Sequence, residues 1–135
     1  MKKSNSKFAA VVFGIAIALT SCKPENTGNI DVRDDFTGNW LCNETSALHS
    51  TSNYTVTISK STADSSKILL ANLYNLGNSF KTTATINGHS LSLPLQTVNN
   101  VNISGSGSLS GSTITIHFTA NDGSDTDDVT ASLTH

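Results

Sequence analysis

Residues 36–135 predict an all-β domain: an eight-stranded antiparallel meander closed into a β-barrel. Three observations predict it. Apolar and polar residues alternate with a period of two in eight short segments, as half-buried strands do. No window carries a 3.6-residue apolar stripe long enough for a helix. The segments are separated by Gly, Asn, Asp and Ser clusters, too short to cross over between parallel strands. Closing eight strands on themselves removes both exposed edges. A two-sheet sandwich is the alternative that the same alternation permits.

The first strand is placed near Thr37–Glu44. The second is Tyr54–Lys60, with Tyr54, Val56 and Ile58 on one face. The third, Lys67–Tyr74, is apolar on both faces, so Leu69, Ala71 and Leu73 need cover, which the loop at 43–52 is expected to supply. The fourth is Phe80–Ile86, aligning Phe80, Thr82, Ala84 and Ile86. Asn87-Gly88 follows and predicts a two-residue hairpin turn with both central residues at positive φ. The fifth is Ser90–Leu95, with Leu91, Leu93 and Leu95 inward. Pro94 lacks an N–H and marks an edge or an end there. The sixth, Val101–Leu109, puts Gly105 and Gly107 inward, as a sharply bending strand would. Ser110-Gly111 turns it into Thr113–Thr119, with Ile114, Ile116 and Phe118 inward. The acidic stretch Asn121–Asp127 leads to the eighth, Asp128–Thr134, with Val129, Ala131 and Leu133 inward.

Residues 1–21 read as a signal peptide. Lys2, Lys3 and Lys7 precede the apolar run Phe8–Leu19, which is too short to span a bilayer. Leu19-Thr20-Ser21-Cys22 resembles the lipobox of bacterial lipoproteins. The resemblance implies cleavage between Ser21 and Cys22 and acylation of Cys22. Several acyl chains on one residue make a stable anchor, where one chain is marginal. Residues 22–35 are then the lipidated cysteine and a polar tether, with Pro24 and Gly28 against regular structure. The expected location is the envelope of a Gram-negative bacterium, at the outer membrane, with the membrane reached through the lipid on Cys22.

The whole chain has 8 Lys and Arg against 10 Asp and Glu. Three lysines leave with the signal peptide and no acid does, so the remainder carries 5 against 10, a balance of −5. That excludes a basic nucleic-acid footprint. It also leaves membrane attachment to the lipid. Cys42 is the other cysteine and reads as a small buried hydrophobe.

At Phe36-Thr37-Gly38-Asn39-Trp40 the first strand carries a Gly-x-Trp motif. It resembles the calycins (lipocalins, fatty-acid-binding proteins and avidins) and is similar to small calycin-like bacterial lipoproteins. The resemblance implies that Trp40 packs across one end of the barrel and that Gly38 permits close approach there. Lipocalins bring an Arg from a late strand over that Trp, but no Arg follows Arg33 here. Avidins hold biotin with several Trp, and Trp40 stands alone. Neither ligand carries over.

Other constellations point to no chemistry. The run Asn121-Asp122-Gly123-Ser124-Asp125-Thr126-Asp127-Asp128 has oxygen ligands, but its Gly is misplaced for an EF-hand and no bidentate Glu follows. It reads as a solvated hairpin loop. His49, His89, His117 and His135 share no metal-ligand spacing. Glu44 and His49 could be drawn as an acid–base pair, with no nucleophile beside them. Gly105-Ser106-Gly107-Ser108-Leu109-Ser110-Gly111 fits neither a phosphate loop nor a nucleophile elbow. No cofactor, metal or catalytic residue is expected. The expected function is a lipid-anchored module that holds a small apolar ligand or serves as a scaffold. The alternative is an envelope interaction protein, such as a lysozyme or protease inhibitor.

Overall fold

The computed structural model describes residues 30–135. The signal peptide, Cys22 and the tether as far as residue 29 lie outside the described residues. Eight strands follow in chain order: β1 (Gly38–Ser46), β2 (Ser50–Lys60), β3 (Lys67–Ala71), β4 (Lys81–Asn87), β5 (Ser90–Val98), β6 (Val101–Ser110), β7 (Thr113–Asn121) and β8 (Thr126–Thr134). Each pairs antiparallel with the next, and β8 pairs back onto β1, from Leu41↔Thr134 to Ser46↔Val129. The barrel is closed, and no edge remains to be guarded.

The alternation sets which side chains fill it. Trp40 and Cys42 of β1, Val56 and Ile58 of β2, Ile68 and Leu70 of β3 point inward. So do Ile114, Ile116 and Phe118 of β7 and Val129, Ala131 and Leu133 of β8. Together with Phe36 and Leu73 they form one continuous core, so the lumen is packed with side chains. Gly105 and Gly107 face inward against Phe118 and Ile116 of β7. A Cβ on Gly105 would stand 2.2 Å from the His117 carbonyl oxygen and 2.6 Å from Phe118 Cα. Only glycine lets the two strands approach this closely.

Several details depart from the sequence reading. Leu95 points outward, 77% exposed, because β5 carries a one-residue bulge between Leu93 and Gln96. An extra residue reverses the phase of everything after it, which brings Val98 inward. Where the bulge breaks the β4–β5 ladder, the Gln96 amide takes its place. It accepts from Thr83 N–H at 2.8 Å and donates to Thr83 C=O at 2.7 Å. The β4–β5 turn is centred on Gly88-His89, one residue later than expected, with only Gly88 at positive φ. A turn with both central residues at positive φ occurs instead at Asn99-Asn100.

The third strand stops at Ala71. Residues 72–80 then fold over the mouth of the barrel, with a 3₁₀ turn at Leu73–Asn75. Leu73 plugs the lumen and is 1% exposed. The stretch 43–52 is the β1–β2 hairpin, with 43–46 and 50–52 in its strands, and is not a loop free to cover β3. Asn72, Tyr74 and Asn75 all have positive φ, a conformation that costs a residue such as Tyr about 1–2 kcal/mol. Phe80 precedes β4 and is partly exposed.

The opposite end is closed from the N-terminal side. Val32–Phe36 forms a 3₁₀ turn that begins within the stretch read as tether, 22–35, so the last residues of that stretch pack on the barrel. Arg33 fastens it: its guanidinium donates to the carbonyls of Ser61, Asp64 and Lys67, each at 3.2 Å, and pairs with Asp31 at 2.7 Å. Phe36 enters the core, and its carbonyl accepts from Trp40 Nε1 at 2.8 Å. His135, the last residue, lies over Trp40 with ring centroids 3.7 Å apart. A histidine from the chain end thus occupies the place over this Trp.

Candidate functional site

The antiparallel order puts the two ends of the barrel in different chemical company. The start of β1, the β2–β3 loop and His135 share the N-terminal end. The far ends of β1, β3, β5 and β7 share the other, with the 72–80 segment and the β7–β8 loop. This second end is the rim. A β1 of nine residues, rising ~3.3 Å each and tilted ~40°, separates the two ends by roughly 23 Å.

Charge is divided between them. All four ion pairs among the described residues are at the N-terminal end: Arg33–Asp31, Lys60–Asp31, Lys60–Asp34 and Lys67–Asp64. The rim end carries Glu44, Asp122, Asp125, Asp127 and Asp128, with Lys81 on the same end of β4 and in no ion pair.

Two of these acids face the lumen. Glu44 is in phase with Trp40 and Cys42 and is 4% exposed. Asp127 is in phase with Val129 and Ala131 and is 1% exposed. The acidic run is therefore not wholly solvated: β8 begins at Thr126, and Asp127 turns inward. Asp127 survives burial because donors surround it. Ser46 Oγ and Tyr74 Oη donate to its Oδ2, the latter at 2.8 Å, and Leu48 N–H donates to Oδ1 at 3.1 Å. Burial alone would raise this carboxyl, but the bonds from Ser46, Tyr74 and Leu48 outweigh it and hold it below the usual range.

Glu44 is placed differently. Tyr54 Oη donates to its Oε2. Burial pushes the carboxyl up, the Tyr54 bond only partly opposes this, and the Asp127 charge pushes the same way as burial. Tyr54 in turn accepts from Tyr74 N–H at 3.0 Å. Burial, then the neighbouring acids, raise both phenols, so they stay neutral donors. Glu44, Tyr54, Tyr74, Asp127 and Ser46 thus form one buried network. Its bond between Ser46 and Asp127 joins residues 81 apart in sequence.

Over this network lies a depression of about 190 Å³. It is lined by the polar side chains of His49, Tyr74, Asp122, Asp125 and Asp127 and by the apolar Leu48, Val101 and Ala120. Asp122 is held below its usual range by the backbone N–H groups of Asp125 and Ser124, which donate to Oδ1 at 3.1 and 2.9 Å. Glu44 and His49 do not bond to each other: one is buried in the lumen, the other exposed on the hairpin. Among the described residues no three His, Cys, Asp or Glu side chains converge as metal ligands would. His117 faces outward and bonds Thr130 Oγ1 at 3.0 Å. Gly38 has φ of 130° and lies against His135, while Trp40 is buried at the closed end, far from the rim. Cys42 is a buried free thiol, pushed up to about 11 by burial.

The sequence reading missed the rim network, although one signal was present. Glu44 and Ser46 continue the inward phase of Trp40, and Asp127 precedes Val129 by two.

No family model matches the chain, and no curated protein matches it. Solved structures do. One is a redesigned β-barrel, at 15% identity and a TM-score of 0.56, covering 78% of this chain and 95% of its own. Another is EF1p2_mFAP2b bound to DFHBI, at 11% identity and the same TM-score, covering 78% of this chain and 97% of its own. At such identities the likeness establishes the closed barrel fold alone.

Proposed function

We propose that this chain is a lipid-anchored binding module of the bacterial cell envelope, and that it recognises its ligand at the rim and not within a hollow lumen. The lipobox-like Leu19-Thr20-Ser21-Cys22 supplies the anchor. The observation that carries the reading is the polarity of the barrel. The chain enters from the tether at one end, where every described ion pair lies. The depression and the acids without cationic partners are at the other. An anchored molecule thus presents the rim away from the bilayer. The packed lumen speaks against an apolar ligand lodged deep in the barrel.

The rim best fits a positively charged group on a short apolar stem. Asp122 and Asp125 attract an ammonium or guanidinium, and Leu48, Val101 and Ala120 take the methylenes. About 190 Å³ is the liquid volume of roughly six waters, enough for one such group. The group can belong to a small amine or to a basic side chain of an envelope protein. The second source would make this an interaction protein, a reading favoured by the acid excess at the rim.

Two measurements test the proposal. Intact-mass analysis of the membrane-extracted protein is expected to find acyl mass on Cys22, and Cys22→Ala to release the protein from membranes. A mature protein of unmodified mass would remove the anchor. Separately, n-butylammonium at low salt is expected to shift the NMR signals of His49 and Tyr74 where butyrate does not, and Asp122→Asn with Asp125→Asn is expected to weaken the effect. Equal shifts from both ions would refute recognition of cations at the rim.

A further inference from the structure

We infer that residues 72–80 are a latched lid, not a fixed cap, and that the barrel mouth behind it accepts a small aliphatic group in place of the Leu73 side chain. Three observations lead there. The segment is closed on itself: Asn72 N–H donates to Phe80 C=O at 3.2 Å, Phe80 N–H to Gly77 C=O at 3.0 Å, and Gly77 N–H to Asn72 Oδ1 at 2.8 Å. Asn75 N–H and Leu76 N–H also donate within it. It can therefore swing as a unit about its two ends without losing these bonds, as compact surface loops with adjacent ends do.

The segment is held to the rest of the barrel by few and separable contacts. Asn72 Nδ2 donates to Thr55 C=O at 2.9 Å, close to the hinge. Away from the hinge, the polar contacts all go through Tyr74: its N–H to Tyr54 Oη and its Oη to Asp127 Oδ2. Its ring also meets Phe118 edge-on, with centroids 6.0 Å apart. Leu73 beside it is the apolar bolt in the lumen, and half-buried Leu76 packs against the same core.

The third observation is the backbone of Asn72, Tyr74 and Asn75, all in the left-handed region. Of the three, Tyr74 bears the strain, and its N–H and Oη are both tied outside the segment, so breaking that latch frees its backbone to relax while the bonds within 72–80 stay. When the lid lifts, Leu73 vacates a pocket floored by core side chains and continuous with the rim. A short alkyl chain matches that space in size and polarity. The inference needs neither the lipid anchor nor a charged ligand, so its failure is separable from that of the proposed function.

The test uses the protein extracted in detergent and Tyr74→Phe, which keeps the ring and deletes the bond to Asp127. The probe is hexan-1-ol, a neutral alkyl chain. Opening frees the amide at position 74, whose acceptor is the Tyr54 hydroxyl. In the unsubstituted protein this amide is expected to exchange at least tenfold faster than those of Ile68 and Leu70. Tyr74→Phe is expected to speed that exchange about tenfold more, leaving Ile68 and Leu70 unchanged. Because only the open form binds, the apparent Kd for hexan-1-ol, read from Leu73 methyl signals, is expected to fall by the same factor. If Tyr74→Phe does not fold, Asp127→Asn weakens the same bond and is read in the same way. Exchange at position 74 that keeps step with Ile68 and Leu70 in both proteins would overturn the inference. So would hexan-1-ol that leaves the Leu73 methyls unmoved.

Discussion

Gly105→Ala tests the packing of β6 on β7 most directly. The new Cβ would lie 2.2 Å from the His117 carbonyl oxygen and 2.6 Å from both Phe118 Cα and Cβ. Two of these atoms are backbone and no rotamer moves them away. β6 and β7 would have to part at the Gly105↔Phe118 pair, weakening ladder bonds worth about 0.5–1.5 kcal/mol each. Inserting a methylene into a packed core costs about 1–3 kcal/mol, and an unyielding neighbour puts this case at or above the upper figure. At about 3 kcal/mol, and with about 4–8 °C lost per kcal/mol in a domain of this size, the melting temperature should fall roughly 12–24 °C. The control is Gly111→Ala. Gly111 has φ of 60° but nothing within 4 Å of its Cβ position, so it pays only for conformation, about 1–2 kcal/mol. Urea unfolding of both variants, comparing midpoints at a common m-value, measures the difference. Gly105→Ala costing no more than Gly111→Ala would refute the close approach.

The remaining predictions concern charge, the closed end and the thiol. The depressed carboxyls Asp127 and Asp64, the latter lowered to about 2 by its Ser66 and Lys67 bonds, contribute stability above their unfolded pKa of ~3.9 that is lost as pH falls through their folded values. Glu44 is raised, so its contribution has the opposite sign: stability declines as pH rises from ~4.3 through its folded pKa. Urea midpoints across pH should therefore show a maximum on the acid side of neutrality. Glu44→Gln, which still accepts from Tyr54, should flatten only the alkaline-going decline, and an unchanged decline would absolve Glu44. Trp40→Phe leaves the buried Phe36 carbonyl without its donor and should cost about 1–3 kcal/mol, measured by the same unfolding. Cys42 should react with a thiol reagent at pH 7.5 only as fast as the barrel unfolds, with urea accelerating it; rapid labelling of the native protein would contradict its burial.

The sequence by itself determined the eight strands and their up-and-down order, and the pairing of β8 with β1 decided for the closed barrel over a two-sheet sandwich. Period-two alternation is a local property, written in each strand whatever its partners do, and turn residues such as Gly111 mark the reversals. It also carried the inward phase of Gly105 and Gly107. Tertiary structure decided the rest. The bulge at Leu93–Gln96 exposed Leu95, because one added residue inverts a phase that sequence reading propagates unbroken. Strand three ended early, since Leu73 would continue the outward face of Leu69 and Ala71 in a longer strand and gains more as a plug in the barrel mouth. Above all, the sequence places Asp127 in a solvated hairpin loop and offers Glu44 only as a partner for His49, whereas both are buried. Glu44 takes its donor, Tyr54, from the adjacent β2, whereas Asp127 takes Ser46 from β1 and Tyr74 from the 72–80 segment, donors that reach it only when β8 closes onto β1. A buried charge is tolerable when its partners converge, and convergence is a property of the closed sheet, absent from any local stretch of the chain.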